Sequence, residues 1–189
     1  MLELNEYYTN KEVLDSIRFR LKKEHSIKLQ EIFSQRFYKI LKMQCDTIKW
    51  IRSVEPQNHS YATAVKIPLA ITKMLTSSWW KTWLQSWTEC KTQIMNPKLL
   101  LFSKGDYTLQ HEKQISGLHM LIDIGDVWDD ESGGFTLVVK QGKECVRISP
   151  TPNSLAVFNK KKGMNSFVKY VNHDACSKHR IVLYTVYKR

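Results

Sequence analysis

The sequence predicts an α+β fold in which helices pack against a two-sheet jelly roll. The N-terminal half spaces its apolar residues three and four apart and places Asn, Ser and Pro where helices would begin. From Leu99 onward the apolar residues recur at every second position, as in strands. Glycine turns at Gly133-Gly134 and Gln141-Gly142 divide this second half into short pieces. Helices followed by many short strands are typical of this architecture.

Two helices and one strand are predicted near the N-terminus. Asn10 is a suitable N-cap for an amphipathic helix over about residues 10–25. Ser34 can cap a second helix over about residues 34–44. The segment between them, 27–33, carries alternating apolar residues and is expected to form a short strand.

A third helix is predicted to begin at Pro68, because proline is well tolerated in the first turn of a helix. Within it Trp79, Trp83 and Trp87 recur at a spacing of four, with Trp80 beside them. This spacing favours the apolar face of a helix packed on a sheet. The alternative is a platform on which nucleic-acid bases stack.

The remaining elements are predicted to be strands. A weakly alternating strand over 48–51 is followed by a looser stretch around residues 56–60. The further candidate strands are 98–102, 117–124, 134–139, 145–148, 154–158, 167–171 and 180–187.

The charge of the chain favours a polyanionic partner. The formal net charge is +11, with 29 Lys and Arg residues against 18 Asp and Glu residues. Basic residues cluster at 18–23, 160–162 and 188–189. Such an excess favours association with RNA, DNA or a ribonucleoprotein, although each cluster can also be a solvated surface.

Composition also bounds the compartment. Neither a membrane-spanning apolar run nor a signal-peptide pattern is visible in the sequence. The four cysteines are far apart and form no CxxC pair, which favours free thiols over a zinc site or disulfides. We therefore expect an intracellular protein, cytoplasmic or nuclear, with no membrane association.

Four stretches of the second half carry recognisable motifs. They are Gly105-Asp106-Tyr107-Thr108-Leu109-Gln110-His111-Glu112-Lys113, Trp128-Asp129-Asp130-Glu131-Ser132-Gly133-Gly134, the run from Ile148-Ser149-Pro150 to Asn153-Ser154-Leu155-Ala156-Val157-Phe158, and Arg180-Ile181-Val182-Leu183-Tyr184-Thr185-Val186-Tyr187. Their order and spacing resemble the prolyl-hydroxylase-like 2-oxoglutarate/Fe(II)-dependent dioxygenases, most closely the ribosomal-protein prolyl hydroxylase branch. The resemblance covers about residues 28–189. It implies a double-stranded β-helix (jelly-roll) domain over 28–189, preceded by a helical extension over 1–27.

The resemblance also implies where an iron site would lie. The family holds Fe(II) with two histidines and one carboxylate. His111 matches the first histidine, whereas Lys113 stands at the carboxylate position and Ser166 at the distal histidine. A charged lysine repels a metal, and serine is a poor ligand for Fe(II). No competent triad and no bound metal are therefore expected, with His111 the only retained ligand position.

The cosubstrate pocket implied by the resemblance is partly kept. Arg180 matches the arginine that binds the distal carboxylate of 2-oxoglutarate. Asp123 stands where the family has a tyrosine or similar hydroxyl, and strand alternation turns it toward the site with His119. An acid there repels a dicarboxylate, but it can neutralise Arg180, whose charge is costly to bury unpaired. We predict a vestigial pocket, without a cofactor, in which Asp123 pairs with Arg180, Lys113 or both.

Two other metal-ligand sets stay open at this stage. His111, His119 and Asp123 could converge as a rewired site, since two imidazoles and one carboxylate are a suitable set. Alternatively, His173 could replace the distal histidine through a shift of register. Either set would allow Fe(II) and 2-oxoglutarate as cofactors.

Three functions follow from these observations. The leading prediction is a catalytically inactive oxygenase-like domain that serves as a binding or structural module, with a protein or ribonucleoprotein such as the ribosome as partner. The first alternative is an active Fe(II)/2-oxoglutarate-dependent prolyl hydroxylase with non-standard ligands. The second is a nucleic-acid-binding domain that uses the tryptophan helix and the basic segment 18–23.

Overall fold

The computed structural model describes residues 3–90, 94–109 and 115–187. The α-helices are α1 (Lys11–Glu24), α2 (Gln35–Asp46), α3 (Leu69–Thr76) and α4 (Ser78–Thr88), and short 3₁₀ helices span Glu6–Thr9, Asp130–Ser132 and His173–Ala175. The strands are β1 (Ser26–Leu29), β2 (Trp50–Glu55), β3 (His59–Ala64), β4 (Ile94–Phe102), β5 (Tyr107–Thr108), β6 (Gly117–Asp123), β7 (Thr136–Lys140), β8 (Lys143–Ile148), β9 (Ser154–Lys160), β10 (Met164–Val168) and β11 (Arg180–Tyr187).

These strands form two antiparallel sheets. The larger has the order β1-β9-β6-β11-β4-β3-β2, with β5 attached to β3, and the smaller has the order β10-β7-β8. Several strands that are neighbours in the large sheet lie far apart along the chain, such as β1 and β9 or β4 and β11. Such long-range antiparallel pairing is characteristic of a jelly roll. The predicted α+β fold class is confirmed.

The large sheet has one apolar core on each of its faces. The first core joins the helices to one face, where Leu118, Met120 and Ile122 of β6 pack against α4 residues such as Trp80 and Trp87. The second core lies between the two sheets and contains Leu121 of β6. Because neighbouring residues of a strand point to opposite faces, β6 contributes to both cores.

The N-terminal segment is packed into the first core. Asn10 caps α1 as predicted, its side-chain oxygen accepting from the Glu12 N–H at 2.8 Å. Ile17 and Leu21 of α1 are buried, and α1 contacts both α4 and β1. Strand β1 begins at Ser26, close to the predicted boundary between residues 27 and 28. The division into an extension and a domain stays a prediction.

The predicted third helix is two helices. α3 ends at Thr76, and Ser77 caps α4 by accepting the Trp80 N–H at 3.1 Å. Serine competes for backbone hydrogen bonds, so it favours a helix start over a helix interior. Neither helix is long and apolar enough to cross a membrane, nor is any other helix in the described ranges.

The tryptophans of α4 are core residues, with one exception. Trp80, Trp83 and Trp87 are almost fully buried, whereas 44% of Trp79 is exposed. The buried face of α4 thus contains Trp80 and not Trp79, one residue away from the position predicted from the spacing of four. Three of these four rings have no access to a nucleic-acid base, which removes the predicted stacking platform.

Several strand predictions needed correction. The strand predicted over 27–33 ends at Leu29, and the one predicted over 48–51 extends to Glu55. The loose stretch at 56–60 is a tight turn into β3. The strand predicted over 167–171 spans Met164–Val168, because the turn after Lys161 is short enough for pairing with β7 to begin earlier.

Candidate functional site

Asp123 and Arg180 form a buried ion pair at the edge of the second core. Arg180 Nε donates to Asp123 Oδ1 at 2.7 Å, and Nη2 donates to Oδ2 at 3.2 Å. Nη1 donates to the Gly134 carbonyl at 2.7 Å and to Thr136 Oγ1 at 3.0 Å. The side chains are 1% and 3% exposed for Arg180 and Asp123. The pair expected from the sequence is present, and each guanidinium nitrogen has an acceptor.

The strands explain why these two side chains meet. Asp123 is the last residue of β6 and lies opposite Val182 of β11. Arg180 is two residues before Val182, so its side chain projects from the same face of the sheet. The inward direction of Asp123 agrees with the predicted alternation, since Leu121 faces the second core and Ile122 the first.

The turn that ends in Gly133 and Gly134 supplies a further acceptor for Arg180. Trp128 Nε1 donates to the Gly133 carbonyl at 2.9 Å, which fixes the turn. Gly133 has a φ of +73°, and a Cβ there would collide with the Tyr170 carbonyl oxygen. Only glycine allows this close approach, and it places the next carbonyl, that of Gly134, against Arg180.

His119 is buried on the same face of β6 and is held at both ring nitrogens. Nε2 lies 2.8 Å from the Ile115 carbonyl, and Nδ1 lies 2.7 Å from the Tyr184 hydroxyl. Because a carbonyl only accepts, Nε2 carries the proton and Nδ1 accepts from Tyr184. Burial lowers the pKa of His119 to about 4, the hydrogen bond to Ile115 opposes this shift, and the charge of Lys160 adds to it. His119 is therefore neutral at pH 7.

Ser166, the predicted position of the distal histidine, lies on β10 and lines the interior. Lys160 Nζ donates to Ser166 Oγ at 3.1 Å, and Lys160 is only 5% exposed. From the sequence, Lys160 was expected to belong to the basic cluster at 160–162. Period two along β9, counted from the inward residues Ala156 and Phe158, would have placed it inside.

A small cavity lies between the two sheets beside Ser166. Its volume is about 50 Å³, room for only a few water molecules. Leu121, Phe158, Ser166 and Tyr184 are among the residues that line it. At this position the space between the sheets is therefore largely filled by side chains of the described residues.

The other predicted site residues are not brought together in the described structure. His111 and Lys113 lie outside the described residues. His173 lies on the surface, 79% exposed, beside Asp174. The described residues contain no group of three or more His, Cys, Asp and Glu side chains that could hold a metal.

Several solved structures share this fold. The fold is similar to that of a Pseudomonas putida prolyl-4-hydroxylase, with a TM-score of 0.68 and 11% identity over 93% of this chain and 98% of that one. It is also similar to a prolyl hydroxylase of Trichoplax adhaerens in complex with a hypoxia inducible factor oxygen degradation domain peptide, with a TM-score of 0.69 and 12% identity over 97% and 92%. A third similar fold is that of an oxidoreductase of the 2OG-Fe(II) oxygenase family from Burkholderia pseudomallei. Its TM-score is 0.70 and its sequence identity is 13%, over 95% of this chain and 92% of that one. At such identities these likenesses show the fold alone.

The family itself is shown by sequence. Residues 47–188 match the family described as "Oxoglutarate and iron-dependent oxygenase degradation C-term", and the chain belongs to this family. The chain is also 31% identical to the mouse protein "Prolyl 3-hydroxylase OGFOD1" over 90 residues. These residues make up 45% of this chain and 16% of that relative. The chain thus matches about a sixth of the relative's length. The predicted relationship to the 2-oxoglutarate/Fe(II) oxygenases of prolyl hydroxylase type is confirmed.

The described side chains do not fit the cofactors of this family. The donors of Arg180 that would bind a 2-oxoglutarate carboxylate are bonded to Asp123, and the negative charge of Asp123 would repel that carboxylate. At the distal ligand position the ammonium of Lys160 would repel Fe(II). Of the rewired ligand set, His119 has both ring nitrogens in hydrogen bonds and Asp123 is paired with Arg180.

Proposed function

We propose that this domain is a binding module of the oxygenase family that does not catalyse hydroxylation. The observation that carries the proposal is the buried pair of Asp123 and Arg180. An internal carboxylate occupies the donors that would otherwise bind the cosubstrate. Because the fold holds the Asp123 carboxylate at a fixed position next to Arg180, a dissolved dicarboxylate would have to displace that carboxylate in order to bind.

The electrostatics of the interior support the same proposal. An iron site needs anionic or neutral ligands around a divalent cation. Here Lys160 brings a buried cation to Ser166, and Lys113 stands at the carboxylate position of the motif. Two cations where the metal and its anionic ligand belong would raise the free energy of metal binding.

The second candidate is an active prolyl hydroxylase with non-standard ligands. The observation that favours it is the match to a relative described as a prolyl 3-hydroxylase. It requires Fe(II) and 2-oxoglutarate to bind despite Asp123 and Lys160. One binding experiment therefore tests both functions.

Calorimetry under anaerobic conditions is that experiment. We expect the wild-type protein to bind neither Fe(II) nor 2-oxoglutarate with a dissociation constant below about 1 mM, a binding free energy weaker than about 4 kcal/mol. Lys113→Asp with Ser166→His should gain metal binding, and more so with Lys160→Met, which removes the neighbouring ammonium.

Asp123→Ser is the matched variant for the cosubstrate. It frees Arg180 and restores a hydroxyl, so 2-oxoglutarate should raise the melting temperature of this variant and not that of the wild type. Micromolar binding of both Fe(II) and 2-oxoglutarate by the wild type would reject the proposal in favour of the hydroxylase.

For the partner we propose a protein or ribonucleoprotein, with the ribosome as first candidate. The support is the net charge of +11, which favours polyanionic surfaces. Binding should be strongest at low salt and weaken as salt displaces the phosphate contacts. Cosedimentation with ribosomes and with RNA at about 50 mM and about 200 mM salt measures this. Absence of binding to either at the lower salt would exclude this partner class.

A further inference from the structure

Strand β2 leaves a row of backbone groups facing the open edge of the large sheet. Among the described strands, β2 pairs only with β3. The Val65 N–H donates to the Lys49 carbonyl at 3.0 Å, and hydrogen-bonded pairs alternate along an antiparallel ladder. Residues 51, 53 and 55 therefore bond to β3. Trp50, Arg52 and Val54 direct their N–H and C=O groups to the open edge, where they can pair with a further strand.

The side chains of β2 do not protect this edge. Proteins usually protect an edge strand with proline, a bulge or a free charge. β2 has no proline, and its register with β3 is uninterrupted. Ile51 and Val54 are 57% and 58% exposed. The charge of Arg52 is bound by Asp106, with Nη1 2.8 Å from Oδ2, so it does not repel an approaching strand.

We infer that β2 pairs with the β2 strand of a second copy of this chain, antiparallel about a two-fold axis at Arg52. In this register Trp50 of each copy lies opposite Val54 of the other, so all three outward residues bond across the axis. Lys49 then lies opposite Glu55, once on each side of the axis. Opposite charges at directly facing positions stabilise an antiparallel pair, which makes the strand complementary to itself.

A groove beside β2 provides the second contact of this arrangement. It has a volume of about 430 Å³ and is lined by residues that include Thr47, Ile48, Val65 and Leu69. Val65 and Leu69 are 56% and 63% exposed. Beyond Lys49, the antiparallel register carries residues 56 and 57 of the other copy past Ile48 and Thr47. The turn between β2 and β3 would therefore enter the groove and cover its apolar residues.

The oligomeric state in solution tests this inference. The contact is small, so we expect a reversible dimer with a dissociation constant between about 10 μM and about 1 mM. Sedimentation equilibrium across that concentration range should show the change from monomer to dimer. A wild-type protein that stays monomeric at about 1 mM would overturn the inference.

Charge exchange then tests the register. Glu55→Lys places two lysines opposite each other on both sides of the axis, so it should weaken the dimer about tenfold or more, and Lys49→Glu should do the same. The double variant Lys49→Glu with Glu55→Lys should dimerise like the wild type, which also controls for folding. A dimer unaffected by either single variant would show that it forms elsewhere.

Backbone exchange gives an independent readout. Amide hydrogens of residues 50, 52 and 54 should exchange rapidly in dilute protein and become protected as concentration rises, whereas those of 51 and 53 stay protected throughout. Val54→Pro removes one outward N–H without removing a bond to β3, so it should abolish the dimer in a folded protein. Concentration-independent exchange at 50, 52 and 54 would contradict the pairing.

Discussion

Replacing Asp123 by asparagine is expected to lower the free energy of unfolding by about 3–5 kcal/mol. The substitution keeps the shape of the side chain but removes the negative charge, leaving the guanidinium of Arg180 buried without a counter-ion. Arg180 is 1% exposed, so water cannot compensate for the lost partner. Urea unfolding followed by circular dichroism at pH 7 measures the change.

Glu144→Gln is the matched control for Asp123→Asn. Glu144 and Arg147 also form a two-bond pair, at 3.0 and 2.9 Å, but both side chains are exposed to solvent. Exposed ion pairs contribute little, so no measurable loss is expected. Asp123→Leu with Arg180→Met should recover most of the stability, because apolar residues can replace a buried pair. An equal, small loss in Asp123→Asn and Glu144→Gln would contradict the assigned role of the buried pair.

A second large effect is expected from acid, through His119. Its pKa is about 4 in the folded protein, below its ordinary value of 6.5. The unfolded chain therefore binds more protons than the folded protein between these values. The contribution of His119 to the free energy of unfolding is complete above pH 6.5 and is lost as the pH falls toward 4. The total loss is about 3 kcal/mol.

The slope of stability with pH isolates this contribution. Free energies of unfolding between pH 7.5 and pH 4.5 should fall more steeply in the wild type than in His119→Leu, which cannot take up the proton. His173→Asn is the control, because His173 is exposed and its replacement should leave the slope unchanged. Equal slopes in the wild type and His119→Leu would show that another group is responsible.

The central pair of the site was predicted through the resemblance to the oxygenase family, in which Arg180 matches the cosubstrate arginine and Asp123 the position of its hydroxyl partner. Strand alternation added the inward direction of Asp123, because the apolar residues of its strand alternate clearly. Lys160 was missed for a physical reason. It stands next to two further lysines, and a run of like charges is usually solvated, although the strand that carries it faces inward.

The errors in the helical half have a different origin. Helical periodicity is tolerant of a one-residue shift, so it did not distinguish Trp79 from Trp80 as the inward residue. The hairpin of β2 and β3 lacks the Asn-Gly or Asp-Gly turn that marks tight hairpins, since its turn holds Pro56, Gln57 and Asn58.

The bond between Asp123 and Arg180 has a thermodynamic consequence for the living cell. In some proteins a dissolved metabolite binds and neutralises a buried arginine. The stability of such a protein rises with the logarithm of the metabolite's concentration. Here the carboxylate is part of the polypeptide, so the stoichiometry is always one to one. We expect the lifetime of this domain to be independent of the supply of 2-oxoglutarate, and its abundance to be insensitive to changes in metabolism that would destabilise a ligand-dependent fold.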